Sequence, residues 1–369
     1  MNKIKLVFFF CVVMLVACTT GSSIDKLSNE TVVSVSASVE TTAVPSWGDA
    51  ADDPAIWINS DDPGQSLIYG TDKKAGLLAF DLNGNLVQTI LAGRLNNVDL
   101  REFRSGAFSA VVAASNRSTD SVSLFLSDSA GRLTWLEASE IAAGLSDPYG
   151  LCMFDDGGDL SVFVNDTDGR YQQWLLQLPS EIEMTSIEEA SKISVGASLV
   201  REWKVADKPE GCAVDDTSKT LFLGVESTGV YSMSAVHTAP VEMATVIAVD
   251  GETIVADVEG MDVYRSQEDT FLVISSQGNH SFAIVDLEPP HTYRGSFTID
   301  SAMDATNAVA SRIDGAEETD GIALTSVSLS SAFPNGLMVA QDGYNTLPKE
   351  KQNFKLLSWS LISERLGLD

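Results

Sequence analysis

The stretch "ADVEGMDVY" (residues 256–264) places two acidic residues, Asp257 and Glu259, two positions apart in front of an apolar run. Its other members include Val258, Val263 and Tyr264, which favour strands. Side chains at positions i and i+2 lie on the same face of a strand, so the two carboxylates would repel each other unless a cation bound them. The stretch therefore predicts a strand whose start concentrates negative charge.

The same pattern, a polar or acidic residue and usually a glycine before an apolar run, recurs along the chain. The recurrences are "DDPAIWI" from Asp52, "NVDLREF" from Asn97, "DPYGLCM" from Asp147, "KPEGCAV" from Lys208, "DVEGMDV" from Asp257 and "ETDGIAL" from Glu318. The positions taken as equivalent, with spacings of 46, 50, 61, 49 and 61 residues, are Asp53, Asp99, Tyr149, Glu210, Glu259 and Asp320. The chain therefore reads as a degenerate repeat.

This repeat decides the predicted fold. Short strand-like runs separated by Gly, Asn and Asp turns fill the sequence, and only residues near 180–192 suggest a helix. Repeat units of about 50 residues suit four-stranded blades. We predict an all-β chain that folds as a six-bladed β-propeller of four-stranded antiparallel blades. A large β-sandwich is the alternative.

In a propeller, the innermost strands line a central channel, and their starts converge at one end of it. Five of the six equivalent positions are acidic. Carboxylates crowded in this way cannot all stay ionised without compensation. A cluster that offers only oxygen atoms suits a hard cation with many ligands, Ca²⁺ before Mg²⁺. The repeat therefore predicts a calcium-binding channel mouth.

The N-terminus, "MNKIKLVFFFCVVMLVAC" (residues 1–18), has two lysines, an apolar run and small residues before a cysteine. This pattern predicts a signal peptide of the lipoprotein type over residues 1–17, with lipidation at Cys18, and an ordinary cleaved signal is the alternative. Residues 18–34 are interpreted as a tether and residues 35–369 as a single domain. The protein is expected to be exported, either as an outer-membrane-anchored lipoprotein or as a secreted protein.

The charge balance limits the partners. With 52 acidic and 23 basic residues, the chain has a formal net charge of −29. Such a surface repels nucleic acid and anionic lipid, so we expect no nucleic-acid partner and membrane association only through a lipid anchor. Cys152 and Cys212 are interpreted as two buried thiols, although export would permit a disulfide.

Ten motifs resemble one known family, the β-propeller phytases, which are calcium-dependent secreted enzymes that dephosphorylate myo-inositol hexakisphosphate (phytate). The motifs are "DDPAIW", "TDKKAGL", "LNNVDLR", "AASNRS", "PEGCAVDD", "ADVEGMDVY", "SSQGNHSFAIVD", "ETDGI", "VAQDGYN" and "NFKLLSW". They extend from about Val35 to Trp359. The fold that the resemblance implies, a six-bladed propeller, agrees with the repeat.

The resemblance also implies site residues. The implied calcium cluster comprises Glu40, Asp52, Glu210, Glu226, Asp257, Glu259, Gln277 and Asp320. Of these, Glu210, Glu259, Asp257 and Asp320 are expected to be catalytic together with Tyr149. The candidates for binding substrate phosphate are Lys73, Arg117, Tyr149, Lys74 and Arg101. Implied structural calcium sites lie at Asp314, Asp342 and Asn345 and near Asp53 and Val98.

Two positions depart from the family pattern. Thr167, in "VNDTDGRYQQW", stands where Bacillus-type members have a phosphate-binding lysine, and Arg170 is close enough in sequence to replace it. Tyr344, in "QDGYN", stands where the family has an acidic calcium ligand.

The expected function is that of a monomeric, calcium-dependent 3-phytase, which releases phosphate by attack of a calcium-bound water. Calcium ions would reverse the negative sign of the site, and Lys73 and Arg117 would stabilise charge on phosphate oxygens. The alternatives are another calcium-dependent six-bladed propeller enzyme of the lactonase type and a non-catalytic propeller lipoprotein.

Overall fold

The computed structural model describes residues 32–179, 193–301 and 313–368. The predicted signal peptide, Cys18 and the predicted helix near 180–192 lie outside the described residues, as does the predicted tether up to residue 31.

Strands make up most of the described chain. In chain order they are β1 (Val32–Val35), β2 (Val39–Glu40), β3 (Ala51–Trp57), β4 (Leu67–Asp72), β5 (Gly76–Asp81), β6 (Leu86–Ile90), β7 (Leu95–Ser105), β8 (Phe108–Asn116), β9 (Ser121–Asp128), β10 (Leu133–Trp135), β11 (Pro148–Asp155), β12 (Leu160–Asp166), β13 (Arg170–Gln177), β14 (Gly196–Lys204), β15 (Pro209–Asp215), β16 (Thr220–Val225), β17 (Gly229–Ser234), β18 (Ala244–Ala248), β19 (Val258–Arg265), β20 (Thr270–Ser276), β21 (Ser281–Asp286), β22 (Tyr293–Ile299), β23 (Ile322–Thr325), β24 (Leu337–Asp342) and β25 (Asn353–Ser358).

These strands form six sheets, the blades of a propeller. Blades 1 to 5 consist of β3–β6, β7–β10, β11–β14, β15–β18 and β19–β22, and blade 6 consists of β23–β25 with β2. The innermost strands β3, β7, β11, β15, β19 and β23 contact one another in that order, and β23 contacts β3, which closes the ring. Strands that are neighbours within these blades pair antiparallel. The predicted six-bladed propeller of four-stranded blades is confirmed.

The N-terminal strands complete two blades. Strand β2 pairs with β25, with Val39 opposite Leu356, so blade 6 combines both ends of the domain. Strand β1 adds a fifth, parallel strand to blade 5, with Val32 opposite Ser296. The predicted domain start at residue 35 therefore falls inside β1, and the end of the predicted tether is part of the sheet.

Apolar side chains fill the interfaces between blades. Six buried clusters occur among the described residues, and each is built from two blades that are adjacent in the ring. Between blades 1 and 2, for example, Tyr69 and Leu77 pack with Val98 and Val112. Because both faces of a blade are covered, strand β8 is buried at nearly every position instead of alternating between buried and exposed.

One α-helix occurs among the described residues, α1 (Trp359–Leu366), and short 3-10 helices lie at Pro63–Gln65, Glu137–Ser139 and Gln277–Asn279. Trp359 stacks on Tyr264 of blade 5, with ring centroids 3.8 Å apart. No helix in the described ranges is long and apolar enough to cross a membrane.

A disulfide joins Cys152 in β11 to Cys212 in β15, with Cα atoms 5.7 Å apart. The prediction of two separate thiols is therefore wrong. The residues are 60 positions apart in sequence, but β11 and β15 are neighbouring innermost strands. The bond links the strands that carry Tyr149 and Glu210, and it restricts the unfolded chain, which raises stability.

Candidate functional site

One end of the channel is built from two positions that recur in every blade. The first position is the start of the innermost strand. In five blades the strand pairing is irregular there, between Ala51 and Pro54, Leu95 and Val98, Pro148 and Leu151, Pro209 and Cys212, and Val258 and Met261. A β-bulge re-aims the side chains that it contains. The side chains at this position are Asp52, Asn96, Tyr149, Glu210, Glu259 and, just before β23, Asp320.

The bulges correct the predicted register in blades 1 and 2. Asp53 and Asp99 were expected at the channel mouth, but Asp52 and Asn96 occupy those positions. Asp53 instead accepts the Val98 N–H at 3.0 Å, and Asp99 accepts the Met153 N–H at 2.7 Å. In blade 1 a shift of one residue turns the strand to its opposite face, so the repeat pattern alone does not separate Asp52 from Asp53, and the resemblance is what names Asp52. In blade 2 the position falls on Asn96, three residues before Asp99.

The second position is the residue that directly follows the second strand of each blade. Strands β4, β8, β12, β16, β20 and β24 all run toward the same end of the channel, because each is antiparallel to its innermost strand. The residues at this position are Lys73, Arg117, Thr167, Glu226, Gln277 and Gly343. Five of these six were singled out from the sequence, and the ring explains why they occur together.

Lys73 connects blades 1 and 6. Its ammonium lies 3.0 Å from Asp52 Oδ1, 2.8 Å from Asp320 Oδ2 and 2.5 Å from Asp49 Oδ1. Burial lowers the pKa of Lys73, but the Asp52 and Asp320 carboxylates outweigh it and raise the pKa above its usual value. Gln277 Nε2 donates to the other oxygen of Asp320 at 2.7 Å. The ammonium of Lys73 and the amide of Gln277 therefore hold one side of the carboxylate ring, which consists of Asp52, Glu210, Glu226, Glu259 and Asp320.

Glu210, Glu226 and Glu259 form the other side of the ring. Each offers a carboxylate oxygen, and these three atoms lie within 4.8 Å of one another. Burial raises the pKa of Glu210 to about 7 and, with the nearby Glu210 charge, raises the pKa of Glu259 well above its usual range. Asp257 is exposed, and its charge contributes to a raised pKa of Glu226, whose main cause is burial.

The ring has unsatisfied acceptors that fit a cation. Asp52 and Glu259 are only 1% and 5% exposed, and neither Asp52 Oδ2 nor Glu259 Oε2 has a hydrogen-bond partner within the described part of the chain. Buried carboxylate oxygens without partners are costly unless a positive charge meets them. Their donor set consists of oxygen only, as Ca²⁺ prefers. The residues present therefore fit a hard divalent cation at this end of the channel.

Cations surround Tyr149 beside these carboxylates. The Arg117 guanidinium carbon lies 5.5 Å from the centroid of the Tyr149 ring, and Lys208 Nζ lies 4.4 Å from it. Two hydrogen bonds, of 2.6 and 2.9 Å, fix Arg117 to Asp147. Burial and the neighbouring carboxylates raise the pKa of Tyr149 well above its usual value, so its hydroxyl stays protonated. This group of side chains can receive an anion.

Two predicted substrate-binding residues lie elsewhere. Lys74 is exposed, and its ammonium donates to the Trp47 carbonyl oxygen at 2.5 Å. Arg101 lies inside the channel, in a cavity of about 390 Å³ shared with Asp99 and Asp216. Its guanidinium is 2.9 Å from Asp99 Oδ2 and 2.8 Å from Asp216 Oδ2. Neither has a described contact with the carboxylate ring.

Glu40, which the resemblance groups with the calcium cluster, is paired with a buried lysine. It belongs to β2, and its carboxylate lies 2.7 Å from the ammonium of Lys355, which is fully buried. The same ammonium contacts Asp314 and lies 3.1 Å from Asp342 Oδ2. Lys355 thus gathers Glu40 with the residues of the first predicted structural site and supplies an internal positive charge there.

The remaining residues of the predicted structural sites lie close by. Asn345 donates to the Lys351 carbonyl oxygen at 3.0 Å, while its own Oδ1 has no hydrogen-bond partner among the described residues. Tyr344 is 54% exposed. At the second predicted site, Asp53 and Val98 are hydrogen-bonded to each other, as described above. At the first site, Asn345 Oδ1 is therefore an oxygen atom that a cation could use.

Lys208 is a site residue that the sequence analysis missed. Its ammonium lies 2.6 Å from Glu226 Oε1 and donates to the Tyr149 hydroxyl at 3.1 Å. It stands two positions before Glu210, as the first residue of the repeat unit "KPEGCAV". The signal was its placement beside the one acidic residue of that unit.

Comparisons with known proteins agree with this geometry. The family model described as Phytase matches residues 4–369. The chain belongs to the phytase family. A 3-phytase of Bacillus subtilis (strain 168) is 31% identical over 358 residues, covering 94% of this chain and 89% of that protein. The predicted family and the predicted class of enzyme, a phytase, are confirmed.

Solved structures support the fold. A calcium-binding protein, regucalcin, from Agrobacterium tumefaciens str. C58 has a TM-score of 0.54 at 12% identity, covering 88% of this chain and 95% of that chain. At this identity the likeness concerns the propeller architecture alone.

The raised pKa of Glu210 predicts how stability depends on pH once chelation has removed metal. Its pKa rises from 4.5 to about 7, so the folded protein binds a proton that the unfolded chain releases. The free energy of unfolding should therefore fall as pH rises from about 4.5 to about 7, by on the order of 3 kcal/mol for this group. Glu210→Gln removes this titrating group and should reduce the dependence, while Glu259, whose pKa is also raised, keeps part of it.

Urea denaturation of the metal-free protein at pH 5 and pH 8 measures this effect. Glu364→Gln, an exposed substitution in α1, serves as the control and should behave as the wild type does. Equal pH dependence in the wild type and in Glu210→Gln would show that Glu210 is not the group responsible.

Proposed function

We propose that the protein is a calcium-dependent 3-phytase that acts as a monomer on phytate, taken up as its calcium complex. One observation carries the proposal: buried carboxylates with unsatisfied oxygens meet cations arranged around Tyr149 at one end of the channel. Membership of the phytase family and the related 3-phytase of Bacillus subtilis support the reaction.

Charge explains why cations are needed. Phytate is a dense polyanion, and the chain has a formal net charge of −29. Long-range repulsion would keep such a substrate away from a surface of the same sign. The ring of Asp52, Glu210, Glu226, Glu259 and Asp320 would hold Ca²⁺, with Gln277 and the exposed Asp257 at its edge. Calcium, when bound, supplies positive charge to the site and lowers the pKa of water.

The chain's own side chains would orient the substrate. Arg117 is held in place by Asp147 and by Asn96 Oδ1, which accepts from its Nη1 at 3.3 Å, and it lies beside the Tyr149 ring. A guanidinium matches the oxygens of a phosphate group. Lys73 lies 14% exposed between the ring and the cleft that Trp47, Tyr149 and Asp320 line. Both can stabilise charge that develops on phosphate oxygens. The protonated Tyr149 hydroxyl adds a neutral donor.

The alternative functions lack a specific observation in their favour. A lactonase-type enzyme would need the carboxylates but not Arg117 and Lys73 beside them. The likeness to regucalcin shows the fold alone. A non-catalytic scaffold gains nothing from burying mutually repelling carboxylates, which weaken the folded state.

Phosphate release from phytate tests the proposal. With Ca²⁺, phytate should be hydrolysed much faster than p-nitrophenyl phosphate, and the first product should lack the phosphate at position 3. Exhaustive chelation should abolish release, and added Ca²⁺ should restore it, because the ring cannot bind a polyanion without cations. Full activity in metal-free buffer would contradict the calcium mechanism. Hydrolysis of glucono-δ-lactone without phosphate release would favour the lactonase alternative.

We also propose that the precursor is exported and lipidated at Cys18. The support is the sequence "LVAC" (residues 15–18) after an apolar run. Cys18→Ser should move the protein from the membrane fraction to the soluble fraction while its phytase activity stays the same. Membrane association that survives the substitution would show that Cys18 is not the anchor.

A further inference from the structure

Lys208 lies between the glutamates of the carboxylate ring and the group of Tyr149 and Arg117. It directly precedes β15, and the Glu226 N–H donates to its carbonyl oxygen at 3.0 Å, which keeps the two residues adjacent. Its ammonium lies 2.6 Å from Glu226 Oε1 and also contacts Tyr149, whose ring Arg117 contacts as well. The side chain is 38% exposed, so its long stem has room to move.

The Lys208 ammonium is paired with the Glu226 carboxylate, which a divalent cation would also need as a ligand. Glu226 is one of three glutamates whose oxygens lie within 4.8 Å of one another, and Lys208 brings a single positive charge to all three. A divalent cation among these oxygens would satisfy them better, and it would repel an ammonium bound to the same carboxylate. Binding of Ca²⁺ and the ion pair of Lys208 with Glu226 therefore compete.

An ammonium released from Glu226 stays beside the place where an anion would bind. Tyr149, which it already contacts, is flanked on its ring by Arg117. The neighbouring position that is lysine in Bacillus-type members is Thr167 here, and its hydroxyl donates to Asp166 at 3.4 Å. Arg170 does not replace that lysine, because ion pairs with Asp166 and Asp168, at 2.9 and 3.2 Å, hold it. Lys208, which is partly exposed, is a lysine that contacts Tyr149 directly.

We propose that Lys208 exchanges partners during loading of the site: it neutralises Glu226 when the ring lacks metal, and it binds a substrate phosphate beside Tyr149 once Ca²⁺ holds Glu226. The inference rests on the proposed function, since it takes the substrate to be a phosphate polyanion. Metal and substrate then support each other's binding. Ca²⁺ takes Glu226 away from Lys208 and frees the ammonium for the substrate, and the substrate takes Lys208 away from Glu226 and frees the carboxylate for Ca²⁺.

Two titrations with opposite expected signs test the exchange. Lys208→Met keeps an unbranched side chain, shorter by one atom, and removes its charge. By isothermal titration calorimetry, this variant should bind Ca²⁺ about threefold to tenfold more tightly than the wild type, because a competitor is gone. With Ca²⁺ saturating, it should bind myo-inositol hexasulfate, a polyanion without a phosphate ester, about threefold to tenfold more weakly.

Two matched variants separate the exchange from general charge effects. Lys204→Met removes a lysine four positions away that is 63% exposed and lies 3.9 Å from Asp168, and it should change neither affinity by more than about twofold. Lys208→Arg keeps the charge and should preserve binding of the hexasulfate. Thermal unfolding of all three variants checks that each one is folded.

The outcomes decide the inference separately from the proposed function. Unchanged or weaker Ca²⁺ binding by Lys208→Met overturns the exchange, as does hexasulfate binding equal to that of the wild type or of Lys204→Met. A wild type that binds Ca²⁺ and hexasulfate but releases no phosphate from phytate contradicts the proposed function, while the two titrations still decide the role of Lys208. A wild type that binds no Ca²⁺ contradicts both.

Discussion

Repulsion among the carboxylates at the channel mouth is the interaction on which the site depends. Closing six blades into a ring brings the starts of the innermost strands together, and with them Asp52, Glu210, Glu259 and Asp320. Burial raises the pKa of three of these groups, which shows how strongly the folded chain resists their ionisation. Lys73 and Lys208 offset part of this repulsion at opposite sides of the ring. The repulsion that these lysines do not offset favours the binding of added cations by the carboxylate oxygens.

The arrangement explains how so acidic a protein can act on a polyanion. The inner position of each blade supplies mainly oxygen ligands, and the position after the second strand supplies Lys73, Arg117, Glu226 and Gln277. Both basic side chains, Lys73 and Arg117, occupy the position after the second strand, whereas the innermost position carries none. A different balance occurs at Glu40, Asp314 and Asp342, where buried Lys355 meets all three carboxylates. Both clusters thus contain a lysine ammonium, Lys73 at the channel mouth and Lys355 beside Glu40, Asp314 and Asp342.

Much of the fold and of the site followed from the sequence, because the propeller repeats its chemistry. The recurrence of an acidic residue before an apolar run gave both the number of blades and the end at which their side chains meet. What failed were details that a repeat does not encode. The repeat alone predicts Asp53 and Asp99 at the channel mouth, whereas the irregular pairing places Asp52 and Asn96 there, one and three residues earlier. Glu40 lies in β2 at the outer edge of blade 6 and pairs with Lys355, a partner that the repeat does not predict. The Cys152–Cys212 distance depends on which innermost strands are neighbours, and Lys208 carried no pattern of its own.

Direct observation of ions in the ring is the sharpest test of this account. An anomalous difference map from crystals grown with Ca²⁺ should show a peak about 2.3–2.6 Å from carboxylate oxygens of Glu210 and Glu259, with Lys208 Nζ displaced from Glu226. Peaks confined to the region of Asp314 and Asp342, with Lys73 and Lys208 still holding the ring carboxylates, would contradict the claim that this ring is a calcium site.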